Sequence, residues 1–96
     1  MNKSQLIESL KSKGALKTND VIKAFEQVER ENFVDTVYRP YAYTDEALPL
    51  FSGQTISQPY TVAVMTEALE LHKSQRVLEV GTGSGYQAAI IAEIIG

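Results

Sequence analysis

Three observations predict an α/β fold for this chain. Residues 77–89, VLEVGTGSGYQAA, run an apolar strand into three alternating glycines and straight on into an apolar helix. That is the layout of nucleotide-binding α/β folds, in which a ligand sits outside the carboxyl end of the strand. Two amphipathic helices stand at the start of the chain, and between them and the strand lies a segment without helical or strand periodicity.

The elements follow in order. Residues 4–13 carry Leu6, Ile7 and Leu10 on one helical face, and Gly14 is placed to cap the C-terminus. Thr18 is the expected N-cap of a second helix over residues 19–29, with Asp20 in its positive first turn and a buried stripe of Val21, Ile22, Ala24, Phe25 and Val28. Residues 30–59 hold all three prolines, the aromatics Phe33, Tyr38, Tyr41, Tyr43 and Phe51, and the turn signal Ser52-Gly53. Only ALPL and QTIS read as brief strands. The aromatic content argues for an ordered loop that forms part of a site. Ser57 ahead of Pro59 reads as a helix start, with Val62, Met65 and Leu69 as the buried stripe of a helix ending near Leu71. RVLEV, residues 76–80, has parallel-strand character. The closing helix, YQAAIIAEIIG, is apolar nearly all round and must be covered on more than one side. The expected organisation is a helical preface over 1–29, a substrate and active-site loop over 30–59, and the start of a ligand-binding domain over 60–96.

Composition narrows the classes. A net charge of −3 argues against nucleic-acid and anionic-membrane partners, which need a basic face. With no cysteine and one histidine, neither a disulfide framework nor a thiolate or multi-histidine metal site is expected. The opening MNKSQLIESLKSKG has lysines through its apolar positions, unlike a signal peptide, and no apolar run approaches the ~18 residues of a membrane span. The expectation is a soluble, cytoplasmic protein.

The glycine turn discriminates among ligands. A P-loop requires Gly-Lys-Ser/Thr, and no lysine follows Gly81. A dinucleotide fingerprint beginning at Gly81 and Gly83 demands glycine where Tyr86 stands, and shifting the frame moves the first glycine past the strand end. The third variant is E-x-G-x-G-x-G, formed by Glu79, Gly81, Gly83 and Gly85. An acid just before the turn repels pyrophosphate and suits a cation with an amino-acid end, as in S-adenosylmethionine. Glycines permit close backbone approach and positive φ. A turn serving only strand–helix packing is the blander alternative.

At this point the sequence resembles the protein-L-isoaspartate O-methyltransferases along almost its whole length. RENFV (30–34) resembles that family's R-x-x-F-V element, AYTDEALPL (42–50) its A-Y-x-D-x-A-L-P segment, and GQTISQP (53–59) its substrate-loop signature. MTEALEL (65–71) resembles its next helix, and VLEVGTGSGYQAA its cofactor motif. The resemblance implies a Rossmann-like class I methyltransferase fold, here ending after the first core strand and its helix. It implies that Glu79, Gly81, Thr82, Gly83, Ser84 and Gly85 hold the methionine and ribose portion of S-adenosylmethionine. Gln54, Thr55, Ile56 and Ser57 would line the junction of cofactor and substrate, with Ser57 matching the active-site serine. One departure is visible. Relatives that place a histidine soon after the loop proline have no counterpart in Tyr60-Thr61-Val62.

The implied reaction moves a methyl group from sulfonium to the side-chain carboxylate of an isoaspartyl residue in a damaged protein. The ester then closes to a succinimide, and hydrolysis returns part of the material to aspartate. Such a carboxylate, with a pKa near ~4, is ionised at neutral pH and needs no strong base. Ser57 would orient it by a hydrogen bond, a role compatible with plain helix capping. His72 reads as a solvent residue at a helix end, Tyr38, Tyr41 and Tyr43 as packing anchors, and Glu29-Arg30-Glu31 as a solvated or locally paired surface. Family members are longer, so the chain reads as an N-terminal portion with little turnover alone, and unpaired strand edges point to self-association. Two other functions stay open: a class I methyltransferase for another small carboxylate or hydroxyl, and a non-catalytic peptide-binding or assembly fragment.

Overall fold

The structure, a computed structural model, describes residues 1–50, 53–73, 75 and 84–96. The strand expected at 76–80 lies outside the described residues, as do the turn positions 81–83 and residues 51 and 52.

Helix α1 (Lys3–Ser12) starts one residue earlier than the apolar pattern suggests, because a capping box precedes it. Asn2 Oδ1 accepts the Gln5 N–H and Gln5 Oε1 accepts the Asn2 N–H, both at 2.9 Å. Leu6, Ile7 and Leu10 are buried as expected. Gly14 adopts φ +75°, and the turn beyond it returns the Ala15 and Leu16 N–H groups to the Leu10 carbonyl. Helix α2 (Asn19–Gln27) buries Val21, Ala24 and Phe25, Val28 is buried just beyond it, and Ile22 packs at the margin of the core.

Thr18 is the N-cap residue of α2, yet its side chain does not cap the helix. Its hydroxyl donates instead to Glu67 Oε1 at 3.1 Å, and Glu67 Oε2 accepts the Lys17 and Thr18 N–H groups at 2.7 and 2.9 Å. A carboxylate from far along the chain thus fastens the start of α2.

The aperiodic segment is ordered by two 3₁₀ helices, Arg30–Phe33 and Thr36–Tyr41, and by a two-stranded antiparallel ribbon. Strands β1 (Leu48–Pro49) and β2 (Thr55–Ile56) fall within the ALPL and QTIS runs, with Leu48 opposite Ile56 and Pro49 opposite Thr55. Val34, Ala42, Leu48 and Ile56 join the same apolar cluster as α1 and α2, so this loop is part of the core.

Helix α3 (Pro59–Ala68) corrects the expected stripe. Pro59, Val62, Ala63 and Thr66 are buried, whereas Met65 and Leu69 are 52% and 49% exposed. Both faces share Val62, but the one turned to α2 and α4 is built of small side chains. Thr66 fits there because its hydroxyl donates to the Val62 carbonyl at 2.7 Å. Glu70, at φ 49°, stands two residues past the helix end, short of Leu71.

Helix α4 (Tyr86–Ile95) buries Tyr86, Ile90, Ile91 and Ile94 and packs mainly on α2, with a smaller contact to α3. Its N-cap, Gly85, has φ +82°. A Cβ there would lie 3.9 Å from Phe33, an ordinary contact, so glycine is favoured at this position by its left-handed backbone and not by lack of space. No helix among the described residues is long and apolar enough to cross a membrane.

Candidate functional site

The site is best followed from β2 outward. Along Thr55, Ile56 and Ser57 the side chains alternate as a strand requires. Ile56 is 1% exposed, while Gln54, Thr55 and Ser57 lie on the open side. Of the junction residues expected from the sequence, Ile56 anchors the ribbon in the core, and Gln54, Thr55 and Ser57 are available to a ligand.

The ribbon is held by a residue whose expected role the structure overturns. Arg30 is fully buried, not a surface charge. Its Nε donates to the Ala42 carbonyl at 2.8 Å, and its Nη2 donates to the Ser57 and Glu46 carbonyls at 3.0 and 3.4 Å. The guanidinium carbon lies 4.9 Å from the centroid of the Tyr86 ring. Nη1 has no hydrogen-bond acceptor among the described residues. Burial pushes the Arg30 pKa down from its ordinary value, opposed by Tyr86, Asp45 and Tyr43. Carbonyl dipoles replace the water such a charge would otherwise require.

Tyr86 is the other half of this junction. It packs edge-on against Phe25 and Phe33, at centroid distances of 6.2 and 5.7 Å. Burial raises its phenol to about 12, and the Arg30 charge partly offsets the rise. Ser84 Oγ accepts the Tyr86 N–H at 3.2 Å, so Ser84 serves the start of α4. The first residue of α4 and the carbonyl of Ser57 therefore meet on one buried guanidinium.

The helix-capping role expected of Ser57 is also corrected. The N-cap of α3 is Gln58, and no side chain of its own caps that helix. Asp45, from the AYTDEALPL segment, fills the place: Oδ1 accepts the Tyr60 N–H at 2.9 Å, and Oδ2 pairs with Lys13 at 3.2 Å. Gln58 Nε2 reaches the Asp45 carbonyl at 3.3 Å. Capping across the fold leaves the Ser57 hydroxyl exposed and without a hydrogen-bond partner among the described residues.

Tyr43 completes the frame. Its hydroxyl accepts the Arg30 N–H at 3.2 Å and contacts the carboxylates of Glu31 and Glu29. Burial first, then the hydrogen bond to Glu31, pushes its phenol well above the ordinary value. That hydrogen bond holds the Glu31 carboxyl below its usual range. Lys3 pairs with Glu29 at 3.0 Å and lies over the Tyr43 ring. Tyr43 is thus an anchor, as read from the sequence.

Among the sequence-predicted cofactor residues, Ser84 and Gly85 stand at the start of α4. Glu79, Gly81, Thr82 and Gly83 lie outside the described residues. Arg30, Asp45 and Tyr86 were missed as site-building residues. The signal for Arg30 was its place in the RENFV element. A cleft of about 650 Å³ opens elsewhere, lined by residues such as Lys17, Thr18, Val64, Glu67 and Leu71. It does not include the ribbon, and Glu67 within it is already engaged. No group of acidic and histidine side chains among the described residues could hold a metal.

Comparison with known proteins places this arrangement in context. The family model described as protein-L-isoaspartate(D-aspartate) O-methyltransferase matches residues 1–96. A protein-L-isoaspartate O-methyltransferase of Dictyoglomus thermophilum is 52% identical over 90 residues, covering 94% of this chain and 40% of the relative. A solved protein-L-isoaspartate O-methyltransferase superposes with a TM-score of 0.86 at 34% identity, covering 99% of this chain and 31% of that one. A Plasmodium falciparum structure described as this enzyme in complex with S-adenosyl-L-homocysteine gives 0.82 at 31% identity, over 96% of this chain and 41% of that one. The chain spans about 40% of the length of the curated relatives it matches.

Proposed function

Because the chain belongs to the protein-L-isoaspartate(D-aspartate) O-methyltransferase family, we propose that it contributes to methyl transfer from S-adenosylmethionine to isoaspartyl side-chain carboxylates in damaged proteins. In this reading, residues 76–80 are a core strand of a Rossmann-like class I fold, residues 1–29 its helical preface and 30–59 its substrate loop. The observation that carries the proposal is the buried Arg30 junction. It fastens the loop bearing Gln54, Thr55 and Ser57 to Tyr86, immediately after the glycine turn.

The residues present fit the donor. Gly85 has the left-handed φ of +82° that a tight glycine turn into a helix uses, and Ser84 is committed to the helix start through its hydroxyl. Glu79 would balance positive charge, and backbone at Gly81, Thr82 and Gly83 would approach the ligand closely. When bound, S-adenosylmethionine supplies an electrophilic methyl group on a sulfonium. The chain's own task is orientation. The free Ser57 hydroxyl donates a hydrogen bond to the substrate carboxylate, and Gln54 and Thr55 line the approach. The carboxylate is ionised at neutral pH, so its attacking oxygen needs alignment and no proton abstraction.

A chimaera tests this reading: residues 1–96 joined to the remaining part of the Dictyoglomus thermophilum relative. With S-adenosylmethionine, it should methylate an isoaspartyl peptide and leave the aspartyl counterpart unmodified. Equal methylation of both peptides, or of neither while the donor binds, would overturn it.

A further inference from the structure

Among the described residues Arg30 is the largest fully buried side chain, and none of them gives it an acidic partner at hydrogen-bond distance. A buried charge is strongly unfavourable unless its surroundings replace water. Among the described residues its guanidinium donates to main-chain carbonyls from two separate segments: Ala42 and Glu46 ahead of β1, and Ser57 directly after β2. Its guanidinium carbon lies over the ring of Tyr86, the first residue of α4. Phe33, three residues on, packs on the same ring and lies near Gly85. An apolar residue of similar size could fill the volume, but it could not fix three carbonyls relative to one ring.

We propose that Arg30 is a positioning residue for methyl transfer, acting through the Ser57 main chain to set the substrate loop at a fixed distance from Tyr86 at the start of α4. The inference rests on the function proposed above and adds the device that holds its two halves in register. Guanidinium geometry is required. Nε and Nη2 address two segments at once while the planar face remains free to stack, which a lysine ammonium cannot reproduce. A shift of about 1 Å in reacting groups costs on the order of 100-fold in rate, so small slack at Ser57 reads out as turnover.

The test uses the same chimaera. Arg30→Lys should lower kcat by about 10- to 100-fold, with the donor dissociation constant and isoaspartyl KM each changed by less than about threefold. Ser57→Ala should mask the effect, so the double variant is no slower than the slower single variant by more than about threefold. A merely structural role would instead lower the active fraction and leave kcat per folded molecule intact. That result, or full additivity with Ser57→Ala, would overturn the inference. If Arg30→Lys does not fold, Tyr86→Leu removes the ring beneath the guanidinium, and unchanged kcat in that variant would overturn the inference. A wild-type chimaera inert on isoaspartyl peptide counts against the proposed function alone. Hydrogen exchange then decides for Arg30. Faster exchange confined to residues 42–58 in Arg30→Lys supports its hold on the loop, and unchanged exchange there refutes it.

Discussion

Removing the Glu67 carboxylate should loosen the fold at a distance from Glu67 in sequence. Its two oxygens accept the Lys17 N–H at 2.7 Å, the Thr18 N–H at 2.9 Å and the Thr18 hydroxyl at 3.1 Å. Hydrogen bonds to a charged group contribute about 1.5–3 kcal/mol each when desolvated. These three lie at the surface, where about 0.5–1 kcal/mol apiece is the better figure. Glu67→Ala should therefore cost about 1.5–3 kcal/mol. Alanine improves α3 by a few tenths of a kcal/mol in helix propensity, so the measured loss is a lower bound on the contacts. At about 4–8 °C per kcal/mol for a domain of this size, the midpoint should fall by roughly 6–24 °C. Glu67→Gln keeps one carbonyl acceptor and should lose about half as much. Thermal and urea unfolding followed by circular dichroism, combined with Thr18→Ala in a double-mutant cycle, measures this. A Glu67→Ala loss below about 0.3 kcal/mol, or a cycle with no coupling, would refute the reasoning.

Three further outcomes follow from packing and charge. Leu10→Ala, at a side chain with 0% exposure, should cost about 2–5 kcal/mol in urea unfolding. Met65→Ala, at 52% exposure, should stay within about 0.5 kcal/mol, and a loss like that at Leu10 would return Met65 to the buried face. The Glu31 carboxyl is held below its ordinary value of 4.5, chiefly by the Tyr43 hydrogen bond. A depressed folded value contributes stability above the unfolded value that is lost as pH falls through the folded one. The unfolding midpoints of wild type and Glu31→Gln should therefore differ at neutral pH and converge below 4.5. A difference that persists in acid would contradict this.

The parts legible in the sequence were those governed by local rules. The stripes of α1 and α2 and the Gly14 cap need only periodicity and a left-handed residue. The brief strands were visible in ALPL and QTIS because each is a short apolar or β-branched run between turn residues. What escaped depends on partners far along the chain. Arg30 sits between two acids in an aperiodic stretch, a pattern that reads as surface. Its burial comes from carbonyls 12 to 27 residues away, and carbonyls leave no mark on residue identity. Proximity in sequence points to Ser57 as the α3 cap, whereas Asp45 supplies it from the preceding segment. The bulk of Met65 and Leu69 suggests burial, while α3 meets its neighbours through Ala63 and Thr66. The acid and first glycines of the proposed donor site stand on sequence pattern and family membership.

Donor binding is the step on which the proposed methyl transfer depends. Isothermal calorimetry of S-adenosylmethionine against the chimaera and its Glu79→Lys variant measures it directly. The account predicts one donor per chain for the wild type and no detectable heat for the variant, because the lysine sets a positive charge against the sulfonium. Equal uptake by both proteins would contradict it.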